Sequence, residues 1–307
     1  MASVQHRVHV LGLGSIGAVN AFLLQTAFPQ LSICHLPRNP ASSRETVAIH
    51  LPTGEIKRLT DINNDAHGTS AIDVLLVTTK ANQTRTAVSA NIPRFTKSTL
   101  MIFLQNGMGI VDSIRDILPS RRIVLGTTVN GAYRTDIDQI HWVYHGSTIF
   151  SPESSSTNLS PHELSILSAM GRMVDYPTLE RRLYWKLAMN ACINPAAAIY
   201  NVVNSEVGDP LTEAHGLAVR LAKEIKSVYA RLRPDLDTST LVEEMVQVAR
   251  DTGRNRNSML ADLRSRRPTE IWFINGYIVK MGHSLGVDVV ENEACVRKVT
   301  ELENCGT

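Results

Sequence analysis

The chain opens with alternation. From His6 through Val8 and Val10 to Gly12, apolar and polar positions trade places as in a half-buried strand. The strand runs into Gly12-Leu13-Gly14-Ser15-Ile16-Gly17, followed by a helical stretch with Ile16, Val19, Phe22 and Leu23 on its inner face. Leu31–Leu36 reads as the next strand, and residues 47–51 and 56–59 around Thr53-Gly54 as a hairpin inserted after it. Residues 73–80, 99–106 and 122–128 are near-continuous apolar runs, the pattern of parallel strands covered on both faces. Residues 137–150 read as strands that finish the sheet. A Ser-rich loop over 151–161, a helix from about His162 to Arg172 and a short strand near Met173–Tyr176 follow.

From Leu179 onward the periodicity is helical, with no convincing strand. Trp185–Tyr200 is the central helix of this half, rich in Ala, with Leu187, Ala191, Ile193 and Ala197 suited to burial. Pro195 lies inside it and predicts a kink near Ala191, because its ring clashes with the carbonyl four residues back. Further helices are predicted over 210–231 and 238–249. Another should open at Pro268, with Glu270 in its first turn and Asn275-Gly276 in its interior, where that pair suggests close packing against another backbone. The expected architecture is an α/β amino-terminal Rossmann-type domain over residues 1–178, with a doubly wound, mostly parallel sheet. An all-α carboxy-terminal domain follows over 179–307.

Composition narrows the function. A formal charge of +2 and a pI of about 8.4 imply neither a nucleic-acid nor an anionic-membrane partner. The amino terminus lacks a signal-peptide pattern, and no apolar run is long enough to span a bilayer. Cys34, Cys192, Cys295 and Cys305 show neither pairing nor metal spacing. The expectation is a soluble, cytoplasmic protein without a metal.

Chemistry enters at the glycines. A strand, a G-x-G-x-x-G turn and a helix form a dinucleotide-binding unit: the first glycine makes the turn, the second admits a pyrophosphate, and the third lets helix and strand pack. The second strand ends without the acidic residue that would hold a ribose 2′-hydroxyl. Arg38 stands there instead, with Arg44 close behind. A cation suits a 2′-phosphate and favours NADP(H); a solvated loop charge is the other reading of Arg38. Three later strands end in Lys80, Asn106, and Thr127-Thr128, at the sheet edge where open α/β folds bind ligands.

In the helical half, Lys186, Asn190 and Asn194 recur at i, i+4 and i+8 on one side of the central helix. They are either a lysine held in the core by two amides or a lysine that meets a polar substrate. A desolvated lysine can protonate the alkoxide left by hydride transfer, and a carboxylate such as Glu270 would hold its charge up. Asn side chains both donate and accept, so they bind carboxylate and hydroxyl groups without adding charge. Glu270 can also be read as an ordinary helix-start acid.

These blocks together resemble the ketopantoate reductases (2-dehydropantoate 2-reductases) along nearly the whole chain. The resemblance rests on residues 12–17, 79–81, Asn106-Gly-Met-Gly109, Gly126-Thr-Thr128, Trp185–Pro195, Asn204, Ser258-Met-Leu260 with Asp262, and Thr269-Glu-Ile271 with Ile274-Asn-Gly276. It implies Lys186 as proton donor and Glu270 as its acidic partner. It implies Asn190, Asn194, Asn204 and Ser258 as substrate contacts. For the cofactor it implies the loop Gly12, Leu13, Gly14, Ser15, Ile16 and Gly17, together with Arg38, Lys80, Asn106 and Thr128. The implied reaction is NADPH-dependent reduction of 2-dehydropantoate to (R)-pantoate, in pantothenate and coenzyme A biosynthesis. Val129-Asn-Gly-Ala-Tyr-Arg134 departs from the family's small, His-containing segment, and Val290 stands where a proline is usual. The first departure could reshape the pocket.

Three rival readings are a reductase of another 2-oxo acid, an opine-type enzyme reducing an imine, and a non-catalytic NADP(H)-binding redox sensor. The sensor would keep Gly12, Gly14, Gly17 and Arg38 but need not keep Lys186 and Glu270. The expected partner is a small 2-oxo acid, bound by a monomer or homodimer.

Overall fold

The computed structural model describes residues 7–38, 44–119 and 121–305. Contacts divide the chain into two units, Met1–Gln105 with Val111–Glu180, and Asn106–Ile110 with Arg181–Thr307. The division therefore falls inside a helix, and the short loop Asn106–Ile110 is counted with the second unit.

In chain order the first unit begins with β1 (Arg7–Leu11), α1 (Ser15–Ala27), β2 (Ser32–Leu36), β3 (Val47–His50), β4 (Ile56–Leu59), β5 (Asn63–Asn64), β6 (Ile72–Val77) and α2 (Ala81–Ser89). It continues through β7 (Phe95–Phe103), α3 (Ile110–Ile114), β8 (Ile123–Thr128), β9 (Gly131–Asp136), β10 (Gln139–Tyr144), β11 (Thr148–Pro152), α4 (Pro161–Met170) and β12 (Arg172–Met173). The main sheet has the order β12-β11-β8-β7-β6-β1-β2-β5 and is parallel except where β11 meets β8.

Strand alternation builds two cores from this sheet. Val8 and Val10 of β1, Val74 and Leu76 of β6 and Ile102 of β7 belong to one, which includes Ala18, Val19 and Leu24 of α1. Leu11, Leu75, Val77, Met101 and Phe103 belong to the other, on the opposite face. Both faces are covered, which is why these strands read as continuous apolar runs.

Residues 137–150 do not all complete that sheet. The hairpin β3–β4 pairs with β10 and β9 in a separate sheet of order β4-β3-β10-β9, and only β11 joins the main one. Asn130 turns the corner between the two. Its Oδ1 accepts from Trp142 Nε1 and Gly146 N, while its Nδ2 donates to Thr128 and Thr148. The segment that departs from the family pattern thus carries a structural knot.

The second unit is helical: the greater part of α5 (Tyr176–Tyr200), then α6 (Asn204–Val207), α7 (Glu213–Leu232), α8 (Leu241–Asp251), α9 (Ser258–Arg264), α10 (Asn275–Leu285) and α11 (Val290–Asn304). Leu187, Ala191 and Cys192 of α5 share one core with Leu221, Ile225 and Val228 of α7 and with Ile278 and Val296. Helix α5 starts earlier than Trp185, at Tyr176, and the short strand expected near Met173–Tyr176 is β12, at Arg172–Met173.

The helix expected from Pro268 forms differently. Residues Ile271–Phe273 make a 3-10 turn, and Ile274 leaves helical geometry at φ −108° and ψ −90°. Asn275-Gly276 therefore opens α10 instead of interrupting it, so the pair imposes no mid-helix penalty. Among the described residues no helix is long and apolar enough to cross a membrane.

Candidate active site

In the first unit the glycine turn is shaped by sterics. Gly12 sits at φ +100°, and a Cβ there would lie 2.5 Å from the Thr79 nitrogen. Only glycine permits that conformation beside a neighbouring backbone. Thr78 Oγ1 donates to the Gly12 carbonyl at 2.7 Å and ties the turn to the end of β6. A Cβ on Gly14, by contrast, would meet nothing within 4 Å.

Gly14 caps α1 with no side-chain hydrogen bond, and the first turn of the helix carries no acid. Helix amides without a side-chain cap among the described residues, beside a glycine with room for a ligand atom, fit the pyrophosphate of a dinucleotide. Arg38 is exposed after β2. Arg44 takes a different place, donating from Nη1 to the Leu13 carbonyl at 2.8 Å. It is an arginine on the glycine loop itself; burial pushes its pKa down, and Arg134 of β9 adds to the fall. Lys80 caps α2, next to a cluster in which Gln105 Nε2 reaches the Thr79 carbonyl and Thr84 Oγ1, each at 2.6 Å. Thr128 is buried, and its hydroxyl accepts from Asn130 and Thr148 at the sheet edge.

In the second unit the loop Asn106–Ile110 packs against the segment that carries Glu270. Gly107, at φ +84°, has the Phe273 carbonyl 2.5 Å from where a Cβ would be, and Met108 N donates to that carbonyl at 2.9 Å. Glycine thus allows two backbones to touch, and the contact sets Asn106 opposite Glu270. Asn106 Nδ2 donates to Glu270 Oε2 at 3.4 Å. Glu270 is a buried carboxylate.

Lys186 is within electrostatic reach of that carboxylate. Burial pushes its pKa down from 10.5 to about 8; Glu270 opposes the fall, and Arg182 adds to it. A pKa near neutrality is what a proton donor working at physiological pH needs. Asn190 is half-buried and Asn194 buried one and two turns along, and neither amide has a hydrogen-bond partner among the described residues.

Two of the expected substrate contacts stand apart from this group in their bonding. Asn204 is buried, donating to Thr252 Oγ1 at 2.9 Å and accepting from Asn257 Nδ2 at 3.2 Å. Its amide already joins α6 to the segment before α9. Ser258 is exposed as the first residue of α9, which Asn257 caps through Leu260 N.

The described residues bring together one set of metal-type donors, His9, Cys34 and Asp65. Arg94 Nη2 and His9 Nε2 already share the Asp65 carboxylate at 2.5 and 2.9 Å. A guanidinium on that oxygen repels a cation, so the group reads as an ion-pair network under the sheet.

Two family models cover most of the chain: ketopantoate reductase PanE/ApbA over residues 8–154 and its C-terminal counterpart over 178–303. A 2-dehydropantoate 2-reductase of Escherichia coli O157:H7 is 30% identical over 249 residues, 80% of each chain. The chain belongs to the ketopantoate reductase family. The enzyme of that name from Vibrio cholerae is 28% identical over 295 residues, 96% of this chain and 97% of its own. A solved structure of D-mandelate dehydrogenase with NADH and anilino(oxo)acetate superposes with a TM-score of 0.86 at 20% identity, covering 97% of this chain and 99% of its own.

Within this ketopantoate reductase scaffold, sequence reading undervalued Arg44 and passed over Arg182. Arg44 was visible only as a second cation behind Arg38, because its bond to Leu13 spans 31 positions. Arg182 had a legible signal, standing one helical turn before Lys186.

Proposed function

We propose that the protein is an NADPH-dependent oxidoreductase that reduces 2-dehydropantoate to (R)-pantoate, with Lys186 as the proton donor. The observation that carries this reading is the grouping of Lys186, Glu270 and Asn106 in a chain that belongs to the ketopantoate reductases. Bound NADPH supplies the hydride. The glycine loop and the amino terminus of α1 hold its pyrophosphate, and Arg38 reads the 2′-phosphate. Hydride arrival at the carbonyl carbon leaves negative charge on oxygen, which the Lys186 ammonium neutralises by giving up its proton. Glu270 keeps that ammonium charged until it is needed and accepts a substrate hydroxyl. Asn190 and Asn194 offer unpartnered amides to the carboxylate and hydroxyl groups of the substrate.

The likeness to D-mandelate dehydrogenase, at 20% identity, supports the shared fold and favours no other 2-oxo acid. The reading carries with it a cytoplasmic setting and a monomer or homodimer. NADPH consumption by the purified protein, followed by absorbance, should be fastest with ketopantoate in a panel containing 2-oxoisovalerate and pyruvate with an amino acid. A preference for another member of that panel would replace the substrate. No turnover with any 2-oxo acid would remove the reaction.

A further inference from the structure

Arg182 is a half-buried guanidinium with no ion-pair partner among the described residues. Its carbon lies 4.3 Å from the ring centroid of Trp185, so the indole face carries the cation. The indole is itself held. Trp185 Nε1 donates to Glu244 Oε2 on α8, and Thr240 Oγ1 donates to the other oxygen of that carboxylate at 2.7 Å. Arg182 and Lys186 are four residues apart on α5 and so share a side of the helix.

We propose that Arg182 is a positioning residue for catalysis: a permanent cation, clamped on Trp185 one helical turn before Lys186 on the same side of α5, that drives the proton of that ammonium toward the substrate. The proposal rests on the reading of Lys186 as proton donor. The physical reason for it is unusual placement. A helix built for stability puts a carboxylate at i−4 from a lysine; here a like charge stands there, without a carboxylate to neutralise it. Arginine stays protonated throughout the working range, so the push on Lys186 is constant. Two further charged groups bear on the arrangement. Glu270 pulls the lysine the other way, and Glu244 faces the indole and is engaged by it and by Thr240. The lysine is thus poised between one buried carboxylate, whose charge is weakly screened, and one half-buried guanidinium.

Removing the Arg182 charge should raise the acid limit of Lys186. Arg182→Met keeps the aliphatic bulk, and it should move the alkaline limb of the turnover profile up by roughly 0.3–1 pH unit, with KM changed less than about threefold. Arg182→Lys restores a charge and should bring the limb back toward its original position. Glu270→Gln should move it in the opposite direction. The same shift should appear without turnover: labelling of Lys186 by acetic anhydride against pH, read by mass spectrometry on the folded full-length chain, reports its titration directly.

An unmoved titration in folded Arg182→Met overturns the proposal, as does an Arg182→Lys variant that shifts as far as Arg182→Met. Near-normal turnover in Lys186→Ala would sink the proton-donor reading instead, while the labelling measurement would still decide whether Arg182 acts on the lysine.

Discussion

The side-chain amide of Asn275 donates to the backbone carbonyl of Ala191 at 2.8 Å. Ala191 stands four residues before Pro195, so the proline leaves that carbonyl without its helical donor. Asn275 is fully buried and donates its second hydrogen to Asn292 Oδ1 at 3.0 Å. Asn292 passes the chain on to Glu224, whose carboxylate also accepts the amides of Glu291 and Asn292 at the start of α11. The gap in α5 is thereby built into the framework of the helical unit.

Asn275→Ala should destabilise the protein by about 1–3 kcal/mol, since it orphans a buried carbonyl. Replacing Pro195 with Ala supplies an N–H at the position from which the helix would normally satisfy Ala191. The double variant should therefore recover part of the loss. Urea denaturation of all four corners of the cycle measures this. Strict additivity would mean that Asn275 and Pro195 are energetically unrelated.

Lys186→Ala should lower turnover roughly 100-fold or more, as expected for losing a general acid, while NADPH binding is retained. In the unmutated enzyme the donor must be protonated, so turnover should hold below the lysine's pKa of about 8 and fall as pH rises through it. Glu270 raises that pKa, so Glu270→Gln should displace the fall toward lower pH and cost less rate than Lys186→Ala. A profile flat through pH 8–9 at constant substrate saturation would count against the lysine.

Arg38 and Arg44 should separate in a cofactor titration. Arg38 is exposed and free to meet a 2′-phosphate, so Arg38→Ala should weaken NADPH by roughly 10-fold or more and leave NADH almost unchanged. Arg44 holds the Leu13 carbonyl, so Arg44→Ala should weaken both cofactors alike, by roughly fivefold. Fluorescence titration of each variant with both nucleotides tests the pair. Should Arg44→Ala alone abolish discrimination, the 2′-phosphate contact belongs to Arg44.

Asn204 and Ser258 should likewise part company. Asn204 joins Thr252 and Asn257 through a buried amide, so Asn204→Ala should lower the melting temperature by several degrees whatever it does to kinetics. Ser258 is exposed, and Ser258→Ala should raise KM for the oxo acid roughly 10-fold with an unchanged melting curve. An unchanged KM would take Ser258 out of the substrate contacts.

What the sequence determined by itself is the part written in local pattern. The glycine turn, the apolar runs of β6, β7 and β8, and the i, i+4, i+8 row from Lys186 to Asn194 all follow from periods of two and 3.6 residues and from the steric needs of glycine. They were enough for the fold class and for the family. Only tertiary structure decided the rest. Residues 139–144 left the main sheet because β3 offered them a parallel partner 91 positions away. Glu270 left the helix start because Ile274 breaks the turn, and it was placed opposite Asn106 by the contact of Gly107 with Phe273, which local periodicity does not encode. The bonds of Arg44, Asn204 and Asn275 likewise join residues more than thirty positions apart. Side-chain periodicity reports which face of an element is buried, and says nothing of which distant group meets it there; that is fixed only when the elements pack.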